Sequence, residues 1–392
     1  MAEPLIILEN EFGKKTVANA IERVISLPIE VPSWGFGRGG TRFEVYSSPD
    51  IPKSPIERIK SAGIFHSITG KGKTVALHFP WDGSNKSDIK TLKHEFKKAG
   101  LLPGTVNSNL FSMRKTGPLD ESLRFGSFTN PQKSIRDASI RHNIECLEYA
   151  RMLGSDTLVI WLPDGTNSPG QMSLYDQADR VEESLKEIYA ALKKDEKILI
   201  EYKLFEPGFY STAIQDYARS YMLCEILGRN ANVLVDLGHH AHGVNVEQII
   251  TLLIRAGRLG GFHFNDSYYA DDDLASGSLH PHQLFRIFAS LIEGEFRGFK
   301  KVHDLALMID QSHNIKNPVE ELIESVENIE TAYANALLVD FDKLKKAQYS
   351  CDISLADRIL SNAFNADVRP ILREARSSLG LPENPLAAYR EL

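Results

Sequence analysis

Cysteine is scarce in this chain and scattered: Cys146, Cys224 and Cys351 form no C-x-x-C pair and leave one thiol over. That usage excludes a disulfide framework and a thiolate zinc knuckle, and fits the reducing cytoplasm. Long apolar runs are also missing, since none approaches the roughly 18 residues of a membrane span. The opening MAEPLIILENEFGKK has neither the basic start nor the long apolar stretch of a signal peptide. A cytoplasmic protein with no membrane partner is expected. There is no excess of positive charge: 45 Lys and Arg stand against 52 Asp and Glu, for a net charge of -7. Nucleic acid is thereby disfavoured as a partner, and a small neutral substrate fits better. Finally, no glycine-rich turn follows a first strand, because GFGRGGTRF precedes the first strand candidate. A dinucleotide-binding open sheet would need such a turn after it.

What is present is an ordinary soluble composition, 42% hydrophobic and 25% charged over 392 residues, long enough for one large domain and an appendage. Apolar β-type runs alternate with segments of helical period. Eight strands are expected: TRFEVYSS from Thr41, KTVALHFPWD from Lys73, LPGTVNSNLF from Leu102, DTLVIWLPDG from Asp156, KILIEYKL from Lys197, NVLVDLGHHA from Asn232, GGFHFNDS from Gly260 and DLALMIDQSH from Asp304. Between them lie charged helical stretches such as DIKTLKHEFKKAG and VNVEQIITLLIRAG, several stopping at Gly. Eight strand–helix units with uninterrupted apolar strands describe an α/β fold, a (β/α)8 barrel with a parallel sheet and right-handed crossovers. The barrel is expected over residues 1–338. Residues 339–392 keep helical period without a strand and read as a C-terminal helical extension, packed on the barrel or on a neighbouring subunit.

Seven potential metal ligands follow the last four apolar runs. They are Glu201, Asp236, His239, His263, Asp271, Asp273 and Asp310. Catalytic groups of such barrels gather at the C-terminal ends of the strands, where all seven fall, so a binuclear site is expected. Any one strand-end Asp is commonly a helix cap, and a DDD run is commonly a solvated loop. Delivery of ligands from four successive strands to one rim is not explained that way. Carboxylates with two imidazoles and no thiolate suit Mn2+, Mg2+ or Co2+ better than a structural zinc. His240 and His242 are expected to line the pocket or face solvent.

Lys203, two residues after Glu201, would place an ammonium beside the metals, able to polarise a carbonyl oxygen. His78, ending the second predicted strand, is a candidate for moving a ring-oxygen or hydroxyl proton, and a packed core histidine is the bland alternative. Trp34 and Trp161 offer flat faces of the kind that stack on sugars, or are simply core.

With these residues in hand, the segments PSWGFGRGGTRF, LHFPWD, GTVNSNLF, VDLGHHA, GFHFNDSYYADDDLASGSL and MIDQSHN resemble the broad-specificity L-rhamnose isomerases, part of the xylose isomerase-like superfamily of TIM barrels. The resemblance runs from about Pro32 to Leu392 and fills every ligand position with the expected residue type. It implies two divalent cations per subunit, Mn2+ foremost, with Mg2+, Co2+ or Zn2+ as alternatives. Glu201, Asp236, His263 and Asp310 would hold the first. His239, Asp271 and Asp273 would hold the second, with Asp236 bridging. It further implies His78, Lys203 and Asp310 as catalytic residues, with His78 opening the ring and Lys203 near O1. Trp34, Phe43 and Trp161 would line the substrate, and the subunits would form a homotetramer. The implied reaction interconverts L-rhamnose and L-rhamnulose, and related aldoses such as D-allose, L-mannose and L-lyxose, by ring opening and a metal-assisted 1,2-hydride shift. A cis-enediol proton transfer stays open.

Two other functions fit the same architecture. A ketose 3-epimerase needs one metal and a pair of acids, which leaves His239, Asp271 and Asp273 without a purpose. A metal-dependent abasic-site endonuclease also uses clustered His, Asp and Glu, but the acidic balance opposes it.

Overall fold

The computed structural model describes residues 2–37, 51–113, 121–206, 208–269, 271–311 and 315–392. Eight parallel strands close into a barrel in chain order: β1 (Ile29–Pro32), β2 (Thr74–Phe79), β3 (Leu102–Ser108), β4 (Thr157–Trp161), β5 (Lys197–Glu201), β6 (Ala231–Asp236), β7 (Leu259–Phe264) and β8 (Ala306–Ile309). The (β/α)8 barrel is therefore the fold of this chain. Seven of the eight expected strands coincide with these. The strand expected from Thr41 falls on residues 41–48, outside the described residues, and the barrel is instead closed by β1, which pairs with β8 through Ile29 and Leu307 and with β2 through Val31 and Val75.

Alternation along the strands decides what the rim receives. In β5, Ile198 and Ile200 face the helices while Leu199 faces the barrel axis. The next axis-facing position is therefore Glu201. The same count runs through Val159 to Trp161 in β4, Leu234 to Asp236 in β6 and Met308 to Asp310 after β8. Val159, Leu199, Leu234 and Met308 form a small apolar plug inside the barrel, separate from the large core between strands and helices. Immediately above this plug stand Trp161 and the carboxylates Glu201, Asp236 and Asp310.

Helix boundaries follow local chemistry. Ser54 caps Pro55–Thr69, Asn85 caps Lys86–Ala99, and both helices end at a left-handed glycine, Gly70 and Gly100. After the long helix Pro318–Leu337, residues 339–392 supply Phe341–Tyr349, Ile353–Phe364, Arg369–Ser378 and Pro385–Arg390. Arg369–Ser378 packs on the N-terminal helix Lys14–Ser26 at the end of the barrel where the strands begin. There Lys71 donates to the carbonyls of Val24, Ile25 and Leu27, and Glu330 lies 3.6 Å from Lys71 and 2.8 Å from Arg376. No helix among the described residues is long and apolar enough to cross a membrane.

Candidate metal centre

Strand register assembles the site. Trp161 pairs with Glu201, Asp236 with His263, and His263 with Met308, while the Asp310 amide donates to the Phe264 carbonyl at 3.0 Å. Glu201, Asp236, His263 and Asp310 therefore stand side by side on one arc of the rim. Each offers one ligand atom, and these four atoms lie within 4.8 Å of one another. His263 Nδ1 is 3.3 Å from Glu201, 3.4 Å from Asp310 and 3.6 Å from Asp236, yet it is buried with no hydrogen-bond partner. A buried nitrogen aimed at three carboxylates without bonding any of them fits a cation held between them. One imidazole and three carboxylates with no thiolate suit a hard or borderline divalent ion.

The other three expected ligands lie beside these four. His239 Nε2 is 3.0 Å from Asp271 and 3.8 Å from Asp236. Its Nδ1 is 3.0 Å from the Tyr202 carbonyl, and because a carbonyl only accepts, Nδ1 carries the proton and Nε2 is turned toward the carboxylates. Asp271 and Asp273 come from the loop after β7, with Asp273 in the left-handed region at φ 49°. The middle residue of the DDD run is structural: exposed Asp272 accepts from the amides of Tyr268 and Tyr269, shaping the loop that presents its neighbours. Among the described residues no second group of three ligands meets the spacing of the first four, so these three flank that set rather than close a cage of their own.

The crowding of Glu201, Asp236, Asp271, Asp273 and Asp310 sets the local proton affinities. Burial alone would lower His239, but Asp236 and Asp271 raise it to about 9. Burial opposes charge on His263 too, and Glu201 and Asp236 overcome it, holding the imidazole well above its ordinary value. Burial pushes Asp310 up to about 6, with Asp236 and Glu201 adding to the effect. Asp273 is driven well above the usual carboxylate range by burial and by Asp271. Against burial, His239 and Lys203 hold Asp271 well below that range. Lys203 lies just past the end of β5, ion-paired with Asp271 and, at 2.8 Å, with Glu206, and its ammonium sits 5.0 Å from the Trp161 ring centre.

Facing the carboxylates is an aromatic wall. His78 stacks on Trp81 at 4.0 Å and meets Trp34 edge-on at 5.6 Å, and Phe111 touches Trp81 and Trp161, each at 5.8 Å. Trp34 does more than offer a face: its indole N–H donates to Asp310 at 2.9 Å. Burial, with His142 and Arg58 nearby, lowers His78 to about 3, so its imidazole is neutral at any ordinary pH. Asp82 fastens this side. It accepts from Ser33 Oγ at 2.5 Å and from the His78 amide at 2.8 Å, and pairs with Arg58 at 3.0 Å. Trp81, Phe111 and Asp82 had not been singled out from sequence, although LHFPWD and GTVNSNLF contain them. Phe43 lies outside the described residues. His240 bonds the Tyr202 hydroxyl at 2.6 Å and, with His242, lines a separate cleft of about 720 Å3.

Residues 56–304 match the sequence profile described as a xylose isomerase-like TIM barrel. Two proteins described as probable sugar isomerases are similar over most of the chain. One, from Rhizobium meliloti (strain 1021), is 42% identical over 94% of this chain and 84% of its own length. The other, from Mesorhizobium japonicum, is 41% identical with the same coverage. Among solved structures, an L-ribulose 3-epimerase superposes with a TM-score of 0.57 at 14% identity, covering 80% of this chain and 97% of that one. A D-psicose 3-epimerase gives 0.52 at 12%, covering 78% and 97%. Identities this low speak for the barrel alone.

Proposed function

The chain belongs to the xylose isomerase-like TIM barrel family, and from that premise we propose that it is a divalent-metal-dependent aldose–ketose isomerase whose preferred pair is L-rhamnose and L-rhamnulose. The observation that carries this reading is the convergence of Glu201, Asp236, His263 and Asp310, flanked by His239 and Asp271 and by a buried ammonium. The flanking set favours isomerisation over 3-epimerisation, which has no need of it. Similarity to probable sugar isomerases at 41–42% identity points the same way.

We assign two cations per subunit, Mn2+ preferred, the first to Glu201, Asp236, His263 and Asp310 and the second to His239, Asp271 and Asp273 with Asp236 shared. Bound there, they would supply Lewis-acid polarisation of the oxygens at the reacting carbons. His78, neutral and flanked by Trp34 and Trp81, accepts the anomeric hydroxyl proton and returns one to the ring oxygen as the ring opens. Lys203, held by Glu206 and Asp271, stabilises negative charge on O1 while hydride moves from C2 to C1. Asp310, fixed by Trp34, would serve as ligand and accept the C2 hydroxyl proton, which returns to O1 once the hydride has moved. Trp161 and Phe43 complete the sugar pocket. D-Allose, L-mannose and L-lyxose belong to the same substrate range. A cytoplasmic homotetramer, with residues 339–392 contributing to subunit contacts, is the assembly we favour.

The test is conversion by EDTA-stripped enzyme, with and without Mn2+, across L-rhamnose, L-mannose, L-lyxose, D-allose and D-xylose. Mn2+-restored ketose formation, fastest with L-rhamnose, is expected. Epimerisation of a ketose without any aldose conversion overturns the assignment. Run in deuterated water, the hydride route leaves product C1 almost free of solvent deuterium.

A further inference from the structure

Asp236 is the carboxylate on which both halves of the candidate centre depend. It is 1% exposed, 3.6 Å from His263 on one side and 3.8 Å from His239 on the other. Its orientation is set by two groups that belong to neither ligand set. Asn265, at the end of β7, donates Nδ2 to both carboxylate oxygens, at 3.0 and 3.1 Å. The Gly238 amide donates to Oδ1 at 2.8 Å. Asn265 is 2% exposed and its Oδ1 has no hydrogen-bond partner, so Asp236 is the side-chain contact that fixes its amide. Gly238 closes over this arrangement: a Cβ there would stand 3.1 Å from Asn265 Oδ1 and 3.4 Å from Asp236 Oδ1.

We infer that Asn265, with Gly238, is a positioning residue that holds Asp236 as the ligand shared by two cations. A neutral amide suits the task. It supplies N–H donors to a carboxylate without adding a charge that would compete with a cation or repel its other ligands. Oδ2 accepts from Asn265 alone and faces His263, while Oδ1, which also accepts from Gly238, faces His239. Losing an outer partner of a metal ligand commonly weakens binding by about 10–100-fold. Because Asp236 is shared, the loss falls on both sites together. The inference rests on the two-cation reading above.

The experiment titrates Mn2+ into the EDTA-stripped full chain and follows free Mn2+ by electron paramagnetic resonance. Wild type is expected to bind two equivalents. Asn265→Leu, close in shape but without donors, is expected to weaken both by about 10-fold or more. His239→Ala is expected to weaken only one. Gly238→Ala, which disturbs Asn265 without removing a donor, is expected to fall between wild type and Asn265→Leu, and it keeps the question answerable if Asn265→Leu does not fold. Unchanged affinity in both Asn265→Leu and Gly238→Ala, or weakening of a single site, overturns the inference while leaving the metal centre standing. Wild type that binds no Mn2+ overturns the two-cation reading, and this inference with it.

Discussion

The two ends of the barrel both bury charge, and they treat it in opposite ways. Where the strands begin, Lys71 is satisfied by three helix-end carbonyls, and Glu330 is shared between Lys71 and Arg376, which also meets Glu327 at 3.3 Å. Positive and negative groups balance there, and the network ties the helix Lys14–Ser26 to Pro318–Leu337 and Arg369–Ser378. Where the strands end, Glu201, Asp236, Asp271, Asp273 and Asp310 stand against Lys203, His239 and His263, and His263 Nδ1 lies 3.3 to 3.6 Å from three of these carboxylates with no hydrogen bond formed. Buried charge that is balanced within the chain serves the fold. Buried charge left unbalanced marks a place made for something that arrives from outside.

The sharpest way to break this contrast is to neutralise one group at each end. Asp236→Asn is expected to lower Mn2+-dependent kcat/KM on the order of 1000-fold or more, since several kcal/mol of transition-state stabilisation go with the metals. Its melting temperature in EDTA should fall only modestly beside that loss, because the removed charge pairs with His239 and His263 but also crowds Asp271 and Asp310. Arg376→Met should do the reverse. Leaving Glu330 with Lys71 as its remaining partner costs up to about 3 kcal/mol in urea unfolding, with kcat at 25 °C near wild type. Lys203→Met tests whether the buried ammonium of the rim serves chemistry: about 100-fold lower kcat is expected, with Mn2+ affinity retained. Were Lys203 structural instead, stability would drop and kcat would hold.

The smallest effect concerns His78. Its folded pKa of about 3 lies below the unfolded value near 6.5. The unfolded chain therefore takes up a proton that the folded chain refuses, and stability falls as pH drops from 6.5 toward 3. By pH 5 the loss is about 2 kcal/mol. Urea titrations of His78→Gln should show that much less loss between pH 7 and pH 5. An equal loss in wild type and variant would show that His78 is as protonatable as a solvated histidine, removing it from the neutral wall.

How much of this could be read in advance follows from what each feature leaves in the sequence. The rim carboxylates such as Glu201 and Asp236 were legible because a charged residue closing an apolar run is a visible break in pattern. β1 was not, since its four residues include Glu30 and Pro32, which disguise a buried strand. Glu30 is accommodated inside the barrel by the amide and hydroxyl of Thr105, at 2.9 and 2.6 Å, a contact 75 residues away that no local pattern announces. Asn265, Asp82 and the Tyr202 carbonyl were equally silent: a hydrogen bond to a ligand has no periodicity. Trp81 and Phe111 lay inside motifs that were noticed, but their roles depend on how the rims of β2 and β3 face each other.

One bond has a wider consequence. Because the Trp34 indole N–H is anchored on Asp310, the wall that would touch a sugar and the arc that would hold a metal are mechanically one piece at that point. Natural drift or laboratory selection toward new sugars cannot retool Trp34 without also disturbing a ligand. Phe111, which meets Trp81 and Trp161 edge-on and stands 6.3 Å from His78, is the position where the wall can change at least cost to the carboxylate arc.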